Sequence, residues 1–413
     1  MSSIAIIGFG VVGSGTVELF EKNKANIEKK IGRPVEIKYI LDLKDFPDSE
    51  YNKKFTKNFD DIINDPDVEV VAELVGGTTF AYDYTKKLLS KGKSVVTSNK
   101  ELVACHGAEL LKIANENNAN YLFEASVGGG IPIIRPLYKC LAGNAIESIS
   151  GILNGTTNFI LTKMIREQMD FETALRMAQE LGYAEADPTA DVEGEDACRK
   201  ICILGSLAYG KHIYPEQVHR SGISRITLDD VEYAENAGYA IKLIGSVQAI
   251  GNRISAIVSP RFVSKKSLLS SVDDVYNAIS VVGDGVGDVV FYGKGAGKLP
   301  TASAVVGDII DALKHQERIL AISWDDNHDS SYIVPYKSVE TSMYVRAKAK
   351  DNDVDKQKGH LSDLFGKLIF IERNGRANDE IAFITPSLVE SEIDEKLEVL
   401  SKSMSIESKI RML

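Results

Sequence analysis

The sequence predicts an α/β protein in three parts: a parallel sheet covered by helices on both faces, an α+β segment, and a small ferredoxin-like unit at the C-terminal end. Three observations predict it. Short apolar runs alternate with helical patterns over about the first 130 residues, as in βαβ units whose sheet is buried on both faces. Two long strand patterns then meet at Gly251-Asn252, a hairpin turn signal. Beyond residue 340 the pattern restarts as β-α-β-β-α-β, the ferredoxin-like order.

In chain order, Ile4 to Gly8 reads as a short buried strand, followed by a helical stretch from Val12 to Lys30. Strands are expected at Val35 to Leu41, Val68 to Val75, Ser94 to Ser98 and Tyr121 to Ala125, with helices at Tyr82 to Ser90 and Glu101 to Asn117. Helical patterns dominate from there to Ala208, interrupted by a strand at Ser148 to Leu153. Ala240 to Ile250 and Arg253 to Pro260 form the hairpin, and Tyr276 to Gly283 and Asp288 to Tyr292 extend its sheet. Thr301 to His315 is a strongly amphipathic helix. Gln316 to Val339 reads as an irregular connector holding the only tryptophan, Trp324. The last unit is Met343 to Ala349, a weak helix at His360 to Gly366, Leu368 to Arg373, Ile381 to Thr385, a helix at Leu388 to Lys402, and Ile406 to Met412.

The 413 residues carry 48 Lys and Arg against 59 Asp and Glu, a net charge of −11. No basic excess is present to neutralise phosphates, which argues against a nucleic-acid partner. Hydrophobic residues at 44% and charged residues at 26% suit a globular protein with sizeable cores rather than a disordered one. The longest apolar runs are far short of the roughly 20 residues that span a bilayer, so no membrane association is expected. Met-Ser-Ser-Ile-Ala-Ile-Ile-Gly lacks a basic n-region and a cleavage site. Cys105, Cys140, Cys198 and Cys202 are too few for a disulfide framework. Together these features predict a reduced, cytoplasmic, multidomain protein.

Gly8-Phe9-Gly10-Val11-Val12-Gly13 directly follows the first strand and opens a helix. In that context Gly8 permits the tight turn, Gly10 lets a pyrophosphate approach the backbone, and Gly13 lets the helix pack on the strand. The helix N-terminus adds free N–H groups and a positive dipole end. A Rossmann-type sheet binding NAD or NADP is therefore expected. Asp42, at the end of the second strand, would accept from the ribose hydroxyls and repel a 2′-phosphate, which favours NAD. Lys44 lies two residues on and would pair with that phosphate; Asp42 also reads as an ordinary surface loop residue.

Thr97-Ser98-Asn99-Lys100 falls where the fourth strand meets its helix, at the carboxyl end of the sheet where ligands bind. Lys100 therefore points toward a nicotinamide crevice, or is a solvated charge at a helix start. A second cluster runs from Gly182 to Lys200 and includes Glu185, Asp191, Asp196 and Lys200. Asp196 and Lys200 are spaced i, i+4 on a helix that grows apolar toward its end. A carboxylate there would hold the ammonium charged and oriented for proton transfer to a carbonyl oxygen; the alternative is an ordinary surface pair.

With Glu124-Ala125-Ser126-Val127-Gly128-Gly129-Gly130-Ile131-Pro132, Gly151-Ile152-Leu153-Asn154-Gly155-Thr156-Thr157-Asn158, Gly293-Lys294-Gly295-Ala296-Gly297 and Pro300-Thr301-Ala302-Ser303-Ala304 in the same order, the chain resembles the homoserine dehydrogenases over about residues 1–315. The resemblance implies reversible NAD(P)-dependent interconversion of L-homoserine and L-aspartate 4-semialdehyde, on the route to threonine, isoleucine and methionine. It implies that Lys200 moves the proton at the C4 oxygen with Asp196 and Lys100 beside it. Glu185, Asp191 and Lys100 are then expected to bind substrate. Gly8, Phe9, Gly10, Val11, Val12, Gly13, Asp42, Thr97, Ser98, Lys100, Gly295 and Gly297 are expected to hold the cofactor. Glu124 with the main-chain carbonyls of Val127, Gly129 and Ile131 matches the family's monovalent cation site, with sodium the expected ion. Read alone, the Gly triplet is only a flexible turn. A homodimer is implied too. The expected divisions are 1–135, completed by the helix at 300–315, for the dinucleotide; 136–299 for catalysis and dimerisation; a connector at 316–340; and 341–413.

The last unit resembles an ACT-type regulatory domain by element order. It lacks the Asp-x-Pro-Gly-Val-Leu-like turn of that type, since residues 350–359 carry no proline. A threonine effector or a dimer-stabilising appendage are the two readings. Two rival functions compete with the main one. An acylating semialdehyde dehydrogenase needs a thiolate, for which Cys105, a full turn into an apolar helix, is a poor candidate. A non-catalytic dinucleotide sensor would have no use for Lys100, Asp196 and Lys200 together. Cys198 and Cys202 lack further ligands at zinc spacing, and none of the six histidines is placed as a catalyst.

Overall fold

The computed structural model describes residues 2–315, 322–326, 330–351 and 353–413. Part of the expected connector at 316–340, and Asn352 of the segment after the first C-terminal strand, lie outside the described residues.

The N-terminal part runs β1 (Ser2–Ile7), α1 (Val11–Lys22), α2 (Lys24–Ile31), β2 (Val35–Leu41), β3 (Phe55–Thr56), α3 (Asp60–Ile63), β4 (Val68–Glu73), α4 (Thr79–Ser90), β5 (Ser94–Thr97), α5 (Lys100–Glu116) and β6 (Tyr121–Leu122). Its six strands are all parallel in the order β3-β2-β1-β4-β5-β6. β1 and β4 are neighbours, so the strand order reverses there, and the crevice above their carboxyl ends is where this sheet type binds ligands. β3 and α3 are additional to the elements expected from the sequence, and two expected elements are altered. The helical stretch from Val12 to Lys30 is broken at Asn23, whose side-chain amide donates to the Leu19 carbonyl (3.1 Å) and closes α1. The strand starting at Tyr121 stops at Leu122, because Glu124–Ser126 turns and the Glu124 N–H donates to Asp308 Oδ2 (2.8 Å).

The middle part comprises β7 (Ile146–Ile152), α6 (Gly155–Glu167), α7 (Phe171–Glu180), α8 (Thr189–Val192), α9 (Glu195–Tyr209), β8 (His219–Arg220), α10 (Leu228–Asn236), β9 (Tyr239–Ile250), β10 (Arg253–Ser264), β11 (Tyr276–Gly283) and β12 (Gly287–Lys294). β9 and β10 pair antiparallel from Tyr239↔Ser264 to Ile250↔Arg253, with α6, α9 and α10 packed against β9. α11 (Lys298–Lys314) then crosses back onto α1, so tightly that a side chain at Gly15 would meet the Lys298 backbone.

β13 (Glu340–Thr341) precedes the final unit of β14 (Met343–Ala349), α12 (Val354–Phe365), β15 (Ile369–Ile371), β16 (Glu380–Ile384), β17 (Leu388–Val389), α13 (Glu390–Leu400) and β18 (Met404–Met412). Its antiparallel order β18-β14-β16-β15 is the ferredoxin-like arrangement. One face of this sheet has its own core of Val345, Leu361, Phe383, Ile393 and Leu397. The other face packs on α10 and β10, with Tyr344 stacked on Phe262 at 4.5 Å. β18 also pairs with β10 at Arg261↔Arg411 and Phe262↔Met412, so the two sheets are continuous.

Candidate active site

Gly8 holds φ +95°, a conformation open to glycine, and its N–H donates to the Leu41 carbonyl (2.8 Å). A Cβ on Gly13 would run into the Gly8 carbonyl oxygen, so α1 can only approach the loop this closely without one. α1 has no side-chain cap and no acidic residue in its first turn, which leaves its N–H groups and dipole for an anion. Asp42 is engaged by the loop itself. Its Oδ2 accepts from the Phe9 N–H (2.7 Å) and its Oδ1 from the Lys44 N–H (2.9 Å), tying the end of β2 to the glycine loop. Both sit on a cavity of about 430 Å³ that is also lined by Gly10, Leu43, Val75 and Phe80. Leu43 and Phe80 are exposed there and offer apolar surface to a flat ring. These features fit a dinucleotide.

At the carboxyl end of β5, Asn99 caps α5 by accepting from the Leu102 N–H (3.0 Å). Lys100 is the first residue of that helix, and its Nζ lies 2.5 Å from Asp196 Oδ1. The other carboxylate oxygen, Asp196 Oδ2, accepts from Lys200 Nζ (2.7 Å). Lys200 also donates to the Leu153 carbonyl (2.7 Å), so two of its three protons are committed and the third is available. Lys200 and Asp196 are 8% and 4% exposed, whereas 40% of the Lys100 side chain is open to solvent. Burial and the like charge of Lys100 push the Lys200 ammonium below its usual range against the pull of Asp196. Burial alone would raise the Asp196 carboxyl, but Lys200 and Lys100 overcome it and hold Asp196 ionised, well below the usual carboxylate range.

Asn154 completes this cluster, a part that spacing alone does not reveal. It caps α6 through its Oδ1, which accepts from the Thr157 N–H (2.8 Å), while its Nδ2 donates to Asp191 Oδ1 (2.7 Å) and Asp196 Oδ2 (2.9 Å). Burial raises the Asp191 carboxyl, and Asn154 offsets part of that rise. Glu185 is not drawn in: it is exposed, and among the described residues its main-chain carbonyl alone is engaged, by Gln179 Nε2 (3.1 Å).

The Gly triplet turn touches the late loop. Gly130 N–H donates to the Lys294 carbonyl (3.0 Å), and Gly129 lies against the Gly295 backbone, while Gly295 itself packs on Asn277. Gly297, at φ +124°, opens α11. The Glu124 carboxylate is fully occupied within the chain: it accepts from the N–H groups of Ile133 (2.7 Å), Ile134 (2.9 Å) and Arg135 (2.8 Å), and from Arg135 Nε (3.1 Å). Among the described residues, the carbonyl oxygens of Val127, Gly129 and Ile131 accept no hydrogen bond. Those three oxygens fit a hard cation of low charge; the Glu124 side chain does not turn toward one, which leaves its main-chain oxygen. No group of His, Cys, Asp and Glu side chains among the described residues is arranged to hold a metal. Cys105 is half-buried, and burial raises its thiol, which disfavours the thiolate an acylating enzyme requires.

A parallel sheet with a dinucleotide-type glycine loop, joined through the half-exposed Lys100 to the buried Asp196–Lys200 pair, defines an NAD(P)-dependent oxidoreductase. Residues 8–124 match the family model for the NAD-binding domain of homoserine dehydrogenase, and residues 132–310 the model for homoserine dehydrogenase. A homoserine dehydrogenase from Bacillus subtilis is 44% identical over 84% of this chain and 81% of its own. The crystal structure of one from Thiobacillus denitrificans superposes with a TM-score of 0.88 at 33% identity, covering 100% of this chain and 98% of that one. A hyperthermophilic archaeal homoserine dehydrogenase in complex with NADPH matches at a TM-score of 0.65 and 30% identity, over 75% of this chain and 97% of its own. The chain belongs to the homoserine dehydrogenase family.

Proposed function

We propose that this chain interconverts L-homoserine and L-aspartate 4-semialdehyde, with Lys200 as the group that moves the proton at the C4 oxygen. The single observation that carries this reading is the continuous chain Lys100–Asp196–Lys200, closed by Asn154 on Asp191. With the dinucleotide held by its pyrophosphate on the glycine loop, its nicotinamide would supply or accept the hydride. Asp196 orients the Lys200 ammonium, Lys200 protonates the carbonyl oxygen during reduction, and the neutral amine takes the proton back during oxidation. Asp191 receives the substrate ammonium, together with Glu185. Lys100 offers its charge to the substrate carboxylate.

Gly8, Phe9, Gly10, Val11, Val12 and Gly13 hold the pyrophosphate, Asp42 the ribose, and Thr97, Ser98, Lys100, Gly295 and Gly297 the nicotinamide end. The carbonyls of Glu124, Val127, Gly129 and Ile131 hold a sodium ion. Residues 1–135 with 300–315, then 136–299, then 341–413 are the functional divisions. The ferredoxin-like strand order supports reading 341–413 as an ACT-like regulatory domain, with threonine as its effector. We place the enzyme as a cytoplasmic homodimer on the route to threonine, isoleucine and methionine. Among the described residues no helix is long and apolar enough to cross a membrane.

The test is the pH dependence of homoserine oxidation. Oxidation needs the neutral Lys200 amine, and burial lowers its ammonium. The rate should therefore rise with pH and level off below the ordinary lysine range, while semialdehyde reduction falls through the same interval. A flat profile in both directions would contradict Lys200 as the proton carrier.

Cofactor choice is a separate expectation. Asp42 repels a 2′-phosphate and also anchors the Phe9 N–H. Asp42→Ala should raise the ratio of kcat/KM with NADP to that with NAD, while KM for both cofactors increases as the loop loosens. Paired kinetics decide it; an unchanged ratio would restrict Asp42 to the loop.

A further inference from the structure

Glu73 is the last residue of β4, lies between Ile7 of β1 and Thr97 of β5 in the sheet register, and is 0% exposed. It forms no ion pair with a cation among the described residues. A carboxyl group placed there is costly to bury, and burial pushes it up to about 7. An apolar side chain would fill a sheet interior without that penalty. What Glu73 does with its oxygens is specific. Oε1 accepts from the Val75 N–H (2.8 Å), and Oε2 from Thr97 Oγ1 (2.7 Å). Thr97 Oγ1 in turn accepts from the Asn99 N–H (2.9 Å). Asn99 Nδ2 returns to the carbonyls of Gly77 (2.6 Å) and Val75 (3.1 Å), and its Oδ1 caps the helix that starts at Lys100. Two segments are thereby locked to one buried carboxyl. One is the turn after β4, whose Leu74, Val75 and Gly76 line the cofactor cavity. The other is the 97–99 segment, from which Lys100 reaches Asp196.

We propose that Glu73 is a positioning residue that sets the cofactor turn and Lys100 in register with each other through the chain Glu73–Thr97–Asn99. The proposal rests on the reading of that cavity as the dinucleotide site and of Lys100 as part of the chemistry. Its two halves have separate consequences: the Val75 bond acts on cofactor affinity, and the Thr97 bond acts on turnover.

The experiment compares Glu73→Ala, Glu73→Gln and Thr97→Val in the full chain, reading NADH affinity by fluorescence titration, kcat, KM for homoserine and the melting temperature. Glu73→Ala should weaken NADH binding and lower kcat by about tenfold each, and raise KM for homoserine as Lys100 is displaced. Glu73→Gln should keep both within about threefold, because its amide accepts from Val75 and donates to Thr97. Thr97→Val should lower kcat by more than it weakens NADH binding, since the Val75 bond survives. If Glu73→Ala does not fold, the Gln and Val variants still decide the matter. The proposal is overturned if a folded Ala variant binds NADH and turns over normally, if Gln is as damaged as Ala, or if Thr97→Val leaves kcat intact. NADH titration needs no homoserine turnover, so failure of the proposed reaction would show separately, as an unmodified protein that binds NADH but does not oxidise homoserine.

Discussion

Lys200→Ala is expected to lower turnover by about 10²–10⁴-fold in both directions, the usual worth of a positioned general acid or base. Lys200 is the buried ammonium of the cluster, and its two fixed acceptors, Asp196 and the Leu153 carbonyl, leave one proton for the substrate. Nothing in the glycine loop depends on it, so NADH affinity should stay near that of the unmodified protein. Asp196 loses one cation but keeps Lys100 at 2.5 Å, which limits the structural damage. Lys200→Arg should not restore the rate, because a guanidinium does not give up a proton in this range and its fork does not fit an ammonium site. Steady-state kinetics beside an NADH titration check the outcome. A variant that turned over near normally would remove Lys200 from the chemistry.

The largest stability effect should come from Arg346→Ala. Arg346 is 5% exposed and lies on β14, on the face turned to α10. Its Nε meets Asp230 Oδ1 (3.0 Å), Nη1 meets Asp229 (3.1 Å) and Glu380 (3.4 Å), and Nη2 donates to Thr227 Oγ1 (3.0 Å). Tyr344 Oη also donates to Asp230, and Tyr233 Oη to Glu380. Removing the arginine strands Asp230 in a buried site and leaves Glu380 with Arg373 as its remaining cation. Breaking a buried pair in this way costs about 3–5 kcal/mol. Denaturant unfolding should show that loss, with the junction between the last unit and α10 opening first. A change within ~0.5 kcal/mol would show that the network is incidental to docking. The same network bears on removal of residues 341–413. All the proposed site residues lie outside that span, so the truncated chain is expected to keep activity. A truncated chain is nevertheless expected to be less stable, because Asp230, Tyr233 and Phe262 lose their cover.

Much of this was legible from residues close in sequence. The glycine loop, the strand–helix junction at Lys100 and the i, i+4 pair Asp196–Lys200 each carry their meaning within a few positions. α10 has a local signal, the capping box of Thr227 and Asp230, but no apolar periodicity strong enough to mark it as a helix. Asn154 and Glu73 were not legible. Asn154 looks like an ordinary helix cap, and only folding brings its amide to aspartates 37 and 42 residues away. Glu73 ends a strand where an acidic residue is usually solvated, and its burial depends on β1 and β5 lying on either side. Glu124 is the reverse case: its motif is plain in the sequence, but its carboxylate is spent on the 133–135 backbone. The ionic junction of the last unit joins residues more than a hundred positions apart, beyond any local pattern.

The most direct measurement of the central claim is product analysis with the unmodified chain, NADH deuterated at the transferring position and L-aspartate 4-semialdehyde. The account predicts NADH oxidation matched one for one by L-homoserine carrying the label at C4. Tight NADH binding without oxidation, or NADH oxidation with no labelled homoserine formed, would contradict it.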